Sequence, residues 1–226
     1  MAYRYGRTVR GRFLSRPNRF IANVEIDGEI QVCHVKNTGR CRELLIEGCT
    51  VILEESTNPA RKTKYDLIAV YKGERLINMD SQVPNKCAAE YIPTLFEGVK
   101  LVKPEFKFGG SRVDFYIETE KERILLEVKG VTLENDGIVR FPDAPTERGV
   151  KHLNELKGAL DEGFKAAVMF VIQMDGVKLF MPNDETHPQF GQALREAEKV
   201  GVKVIACQCA VTEDTIEIIS PVKIQL

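Results

Sequence analysis

The chain has 226 residues, 43% of them hydrophobic, and its 32 basic and 33 acidic side chains leave a formal net charge of −1. That length suits one large domain or two small ones, each able to bury a core, and the near-zero charge excludes the global positive field that marks many nucleic-acid binders. The longest apolar run, Ala166–Ile172, is far too short to cross a bilayer, so no membrane partner is expected.

Charge is unevenly spread, however. The first twenty residues, MAYRYGRTVRGRFLSRPNRF, hold six arginines interleaved with Tyr3, Tyr5, Phe13 and Phe20, and no acid. A basic, aromatic segment suits a nucleic-acid backbone and its bases, which makes Arg10, Arg12, Arg16 and Arg19 candidate nucleic-acid contacts. Next, Phe20–Val35 reads as a hairpin through Asp27-Gly28, with Val24 and Ile26 matching Ile30 and Val32 only if the loop is the three residues Asp27–Glu29. Asn37–Gly48 is expected as a short helix stopped by Gly48. Strands are expected at Cys49–Ser56, Tyr65–Lys72 and Arg75–Met79, with a basic loop at 58–64. About five strands with one short helix suit a small closed barrel of the oligonucleotide-binding (OB) type over residues 1–80.

Asp80–Asn85 reads as a linker into a second domain, residues 81–226. Lys86–Gly98 is expected as a helix that Pro93 should kink or split. Three strands follow, at Val102–Gly109, Arg112–Glu118 and Arg123–Gly130. After a loop comes a helix starting near Asp143 or Thr146, with Val150, Leu153, Leu156 and Leu160 as its buried stripe. A strand at Ala166–Gln173, a hairpin-like Met174–Pro182, a helix at Pro188–Gly201 and a strand at Val202–Cys207 complete an α/β pattern. The six cysteines show no paired C-x-x-C framework and no His partners at zinc spacing, so reduced thiols in a cytoplasmic protein are expected.

The chemistry concentrates in Arg112–Gly130. Val113, Phe115 and Ile117 alternate on one arm of a hairpin, and Ile124, Leu126 and Val128 on the other. Matching these apolar residues sets Asp114 opposite Glu127 and Arg112 opposite Lys129 on the second face. Like charges directly opposite cost roughly 0.2–1 kcal/mol per pair, a cost that a bound cation and a phosphate would remove. Asp114, Glu127 and Lys129 thus form a D…E-x-K set. Two carboxylates, with the Val128 carbonyl as a third ligand, could hold Mg²⁺ or Mn²⁺, and Lys129 could orient water and stabilise a phosphorane. Glu90, on the preceding helix, is a further candidate metal ligand. Arg112, with Arg148 and Lys151 on the polar stripe of the following helix, could face phosphates. His152 in that stripe reads as a surface or capping histidine.

Taken together, RPNRF, HVKNTGR, GSRVDF, LLEVKGVTL and FPDAPTERGVKHLNEL resemble, in order and spacing, the sugar fermentation stimulation protein A family along the whole chain. The resemblance implies an N-terminal OB-like barrel, a C-terminal domain similar to the PD-(D/E)xK nucleases, and DNA binding linked to regulation of sugar, particularly maltose, metabolism. It matches Asp114, Glu127 and Lys129 residue for residue to the nuclease motif, and Glu90 more loosely. Three functions follow: a DNA-binding regulator with little sequence preference, an active divalent-metal nuclease, and a non-nucleic binding scaffold. No helix-turn-helix with an evident recognition helix is present. A homodimer would let two such sites reach both strands.

Overall fold

The computed structural model describes residues 2–37 and 39–226. Met1 and Thr38, which fall within the expected barrel and its short helix, lie outside the described residues. The chain opens with a two-residue strand, β1 (Tyr3–Arg4), followed by β2 (Thr8–Asn18), β3 (Ile21–Ile26), β4 (Glu29–Val35), β5 (Thr50–Glu55), β6 (Tyr65–Lys72) and β7 (Arg75–Asn78). Strands pair in the order β4-β3-β2-β5-β6, and a parallel β4–β6 contact closes five of them into a barrel, with β7 added beyond β6. Ala22, Val24 and Ile26 point inward from β3 and pack with Val51, Leu53, Leu67 and Val70.

Two local expectations fail here. Ile26 pairs with Glu29 and Val24 with Gln31, so the β3–β4 turn has two residues, Asp27 and Gly28, at φ 51 and 84. This is the mirror-image turn whose twist suits a tight hairpin. The shorter loop flips β4 relative to the apolar match, leaving Ile30 68% and Val32 54% exposed. The expected helix at Asn37–Gly48 is a run of turns among the described residues. Leu44 and Leu45 both donate their amides to the Cys41 carbonyl and bury their side chains in the barrel core, so one turn is all the segment needs.

Gly11 sits where β2 crosses the barrel interior. A Cβ there would press on Val24 and stand 3.0 Å from Leu53 and 3.1 Å from the Glu25 carbonyl. Gly11→Ala is therefore expected to destabilise the protein by about 1–3 kcal/mol through overpacking. Denaturant unfolding followed by circular dichroism measures it; an unchanged midpoint would mean that the barrel yields at this point.

The second part comprises α1 (Val83–Leu95), β8 (Val99–Phe108), β9 (Ser111–Thr119), β10 (Arg123–Val131), β11 (Leu133–Asn135), β12 (Ile138–Phe141), α2 (Glu147–Asp161), β13 (Lys165–Ile172), β14 (Leu179–Pro182), α3 (Pro188–Val200), β15 (Lys203–Val211), β16 (Thr215–Pro221) and β17 (Lys223–Ile224). Seven strands form one sheet in the order β1-β16-β15-β13-β10-β9-β8, with β10, β13 and β15 mutually parallel. Residues 3–4, placed by sequence with the barrel, thus hydrogen-bond into the second sheet. Cys87, Ala88 and Ile92 of α1 pack on one face with Leu126, Val128 and Met169. Leu153 and Leu156 of α2 and Phe190 and Leu194 of α3 pack on the other with Leu125, Val168 and Phe170. The chain is α+β, an OB-like barrel followed by a mixed sheet with helices on both faces.

Pro93 ends α1 rather than splitting it, since it lies in the last turn, just before the Phe96 cap. In α2 the Thr146 hydroxyl accepts from the Gly149 amide at 3.0 Å, the N-cap geometry that fixes a helix start. Its buried residues are Gly149, His152, Leu153, Leu156 and Ala159, a stripe rotated from the expected one so that His152 turns inward. A small sheet in the order β11-β12-β14-β17 replaces the expected loop and hairpin. No helix among the described residues is long and apolar enough to cross a membrane.

Candidate active site

The β9–β10 hairpin has the register that its apolar alternation demands: Ile117 pairs with Ile124, and Phe115 with Leu126. The recorded pairing stops there. At the next position the Asp114 carboxylate takes the strand's place: its Oδ2 accepts from the Val128 amide at 2.7 Å. Its Oδ1 accepts from Asn85 of α1 at 2.8 Å. Alternation breaks with it, because Val113 packs with Tyr116 and Leu125 while Phe115 and Ile117 pack on the α1 side. The expected single apolar face therefore ends at Asp114.

Glu127 is 3% exposed. Its Oε1 accepts from Lys129 Nζ at 2.6 Å and from His152 Nδ1. Its Oε2 is buried and has no hydrogen-bond partner. Arg148 Nε donates to His152 Nε2 at 3.2 Å, which leaves the imidazole with Nε2 as acceptor and Nδ1 as the donor to Glu127. His152 is 5% exposed and supports the carboxylate; it is not the surface or capping residue expected. Its signal in the sequence is its place beside Gly149, Leu153 and Leu156, one step inside the polar stripe.

The two carboxyls are driven apart. Burial raises the Asp114 carboxyl above its ordinary range, and the Glu127 charge adds to the rise, beyond what the Val128 amide, Asn85 and Lys129 recover. Burial also works to raise Glu127, but His152 and Lys129 outweigh it and hold that carboxyl below its usual value. The result is a fixed anion with one bare oxygen beside a carboxyl that resists ionising without a cation.

Among the described residues, no three His, Cys, Asp or Glu side chains cluster in a metal-binding group. Two carboxylates nevertheless fit Mg²⁺ or Mn²⁺, ions that keep several waters and take one or two carboxylates plus substrate phosphates. The orphaned Glu127 Oε2 is the oxygen left over for one. Glu90 is exposed on α1; it lies five residues from Asn85, roughly 140° around the helix, so the two do not share a face. The helix brings Asn85 to Asp114, and sequence reasoning missed it.

The basic candidates separate. Arg112 is exposed and pairs with Lys107 of β8; the expected opposition to Lys129 is not formed, and Lys129 is engaged with Glu127. Arg148 is exposed at its site beside His152, and Lys151 lies 3.7 Å from Glu155. On the barrel, Arg10 binds Glu213 at 2.5 Å and Arg12 binds Glu25. Arg16 donates to the carbonyls of Asn37, Arg19 and Arg40 at 2.6–2.7 Å, so it braces a loop. Arg19 has its guanidinium 6.0 Å from the Phe20 ring.

Comparison with known proteins matches residues 14–79 to a family model described as the SfsA N-terminal OB domain and residues 82–215 to the sugar fermentation stimulation protein RE domain. A Clostridium beijerinckii sugar fermentation stimulation protein homolog is 58% identical over 217 residues, covering 95% of this chain and 96% of its own. A homolog from Ruminiclostridium cellulolyticum is 53% identical, covering 99% of this chain and all of its own. The solved structure of Pyrococcus furiosus SfsA in complex with Ca²⁺ superposes with a TM-score of 0.89 at 27% identity, covering 99% of this chain and 98% of that one.

Proposed function

The chain belongs to the sugar fermentation stimulation protein family, and on that premise we propose that it binds nucleic acid and hydrolyses phosphodiester bonds with a divalent cation held at Asp114 and Glu127. The observation that carries this reading is the buried, unpartnered Glu127 Oε2 beside a carboxyl that resists ionising. The Ca²⁺ held by the Pyrococcus furiosus relative is another hard cation, with the same preference for oxygen ligands.

Mg²⁺ or Mn²⁺ bound there would polarise the phosphoryl group and supply a nucleophile at neutral pH. The protein's own part is positional. Asn85 and the Val128 amide fix Asp114; His152 and Lys129 occupy Glu127 Oε1 and so keep Oε2 for the cation. Lys129 brings positive charge next to the pair, where charge develops on the phosphorus oxygens.

The test is incubation of labelled single-stranded and duplex DNA with the protein in Mg²⁺, Mn²⁺, Ca²⁺ or EDTA. Cutting in Mg²⁺ or Mn²⁺ and none in EDTA is expected. Binding without cutting in any metal would overturn the hydrolytic reading. It would favour a second reading, a DNA-binding regulator with little sequence preference acting in sugar metabolism, which the Lys129–Glu127 ion pair supports because it already neutralises part of the site.

His152 gives a separate expectation. His152→Ala removes one of the two donors on Glu127 Oε1, so divalent affinity should fall roughly 10–100-fold, the usual cost of losing an outer-shell partner. Calorimetric titration with Ca²⁺ measures this without turnover, and an unchanged affinity would show that Lys129 alone orients the carboxylate.

A further inference from the structure

A cleft runs between the barrel and the second domain in two adjoining compartments. One, of about 310 Å³, is lined by Gly130, Arg140, Phe141 and Thr146 among others; the other, of about 420 Å³, is lined by Arg19, Arg40, Arg42 and Leu45 among others. Gly39 and Ala144 line both, so the two are continuous. Gly130 lies on β10 three residues past Glu127, and a Cβ there would stand 2.9 Å from Pro84, the neighbour of Asn85.

The arginines of this cleft differ from those at the start of the chain. Arg4, Arg7, Arg10 and Arg12 each meet a carboxylate. Arg19, Arg40, Arg42 and Arg140 have no carboxylate ion pair among the described residues, and the first three are exposed. Among the described residues the only acid lining either compartment is Asp143. Arg16, with its guanidinium spent on the carbonyls of Asn37, Arg19 and Arg40, holds the loop that carries Arg40 and Arg42 in place. Thr146, the N-cap of α2, also opens on the cleft, so the positive end of a fifteen-residue helix faces it.

We infer that this cleft is a track for single-stranded nucleic acid, holding the strand between Arg140 and the Arg19, Arg40 and Arg42 cluster. The inference rests on the proposed phosphodiesterase reading and names its substrate class. Unpaired guanidinium groups attract phosphates. Each compartment is at the low end of small-ligand pocket sizes, about 300–1,000 Å³, a scale that suits a single nucleotide. The half-exposed Phe20 beside Arg19 offers a ring for stacking, the sequence-tolerant element of single-strand sites.

The experiment is binding of a fluorescein-labelled oligothymidylate and of a duplex of equal length, in Ca²⁺, over a salt series. The full chain is compared with Arg40→Ser/Arg42→Ser and with Arg140→Gln, each checked for an unchanged melting temperature. The double variant should bind the single strand at least ten-fold more weakly and lose about 0.7 in salt slope per contact removed, with duplex binding little affected. Arg140→Gln, the more conservative change at a half-buried position, should show the same selectivity and keeps the test open if the double variant does not fold. Unchanged single-strand affinity, or an equal loss for duplex, overturns the inference. The phosphodiesterase reading fails differently, by absence of metal-dependent cutting, and cutting that persists with unchanged single-strand affinity in the arginine variants would sink the cleft alone.

Discussion

Asp114→Asn is expected to lower metal-dependent cleavage by roughly 10³-fold, the scale on which a single group that stabilises transition-state charge counts, while leaving the fold intact or more stable. The second half of that expectation makes the first interpretable. An asparagine can still offer one oxygen to the Val128 amide, and Asn85 can turn its own oxygen toward the new amide nitrogen, so both contacts of Asp114 survive. What goes is the charge. Because the folded state holds this carboxyl above its ordinary range, its ionisation works against folding: the benefit is full below the unfolded value and is lost as pH rises through the folded one. At neutral pH the neutral amide should therefore match or exceed the native melting temperature. Ca²⁺ should raise the melting temperature of the native protein, since a ligand that binds only the folded state stabilises it, and should leave the variant unmoved. Cleavage that continues in Asp114→Asn at the native rate would take this carboxylate out of the reaction. A variant that melts early would mean that its role is structural.

How far this site was legible in the sequence depends on the kind of interaction involved. Register came through because both arms of the hairpin carry three alternating apolar residues, and a slip by one would expose all of them. The break at Asp114 did not, because it depends on a side chain displacing a strand at one amide. His152 was read as a surface residue because hydrophobic periodicity cannot recognise a buried polar partner. Asn85 escapes the sequence reading because it falls in the stretch read as a linker, whereas α1 starts already at Val83 and so carries Asn85 to Asp114. Arg10 and Arg12 show the opposite error. Their charge is visible in the sequence, but their partners Glu213 and Glu25 are not local to them, and only the fold shows which arginines are already paired. The hairpin of β11 and β12 was legible in principle through its Asp136-Gly137 turn, but strands of three and four residues were too short to register as a pattern.

The largest effect on stability should come from Glu134, which fastens the barrel to the second domain. It is 7% exposed and lies on β11, where it meets Lys72 at 2.8 Å and Arg75 at 2.6 Å, both from the β6–β7 hairpin of the barrel, and the Gly137 amide at 2.7 Å. Burial alone would raise this carboxyl, yet Lys72, the Gly137 amide and Arg75 together hold it at about 2 against an ordinary 4.5. A depression of that size corresponds to about 3 kcal/mol in favour of the folded state. Its sign fixes the pH window: the contribution is complete above the ordinary carboxylate value and drains away as pH falls toward 2. Glu134→Ala should thus lower the melting temperature at neutral pH by roughly 6–12 °C for a chain of this length. Lys72 and Arg75 are left partly exposed and able to find water, so the loss should not greatly exceed the value of the ion pairs themselves. With no tryptophan in the chain, circular dichroism is the natural readout. The decisive comparison is a pH series: the gap between native and variant proteins should close in acid. A gap that stays constant to low pH would mean that the side chain's packing, rather than its charge, joins the two domains.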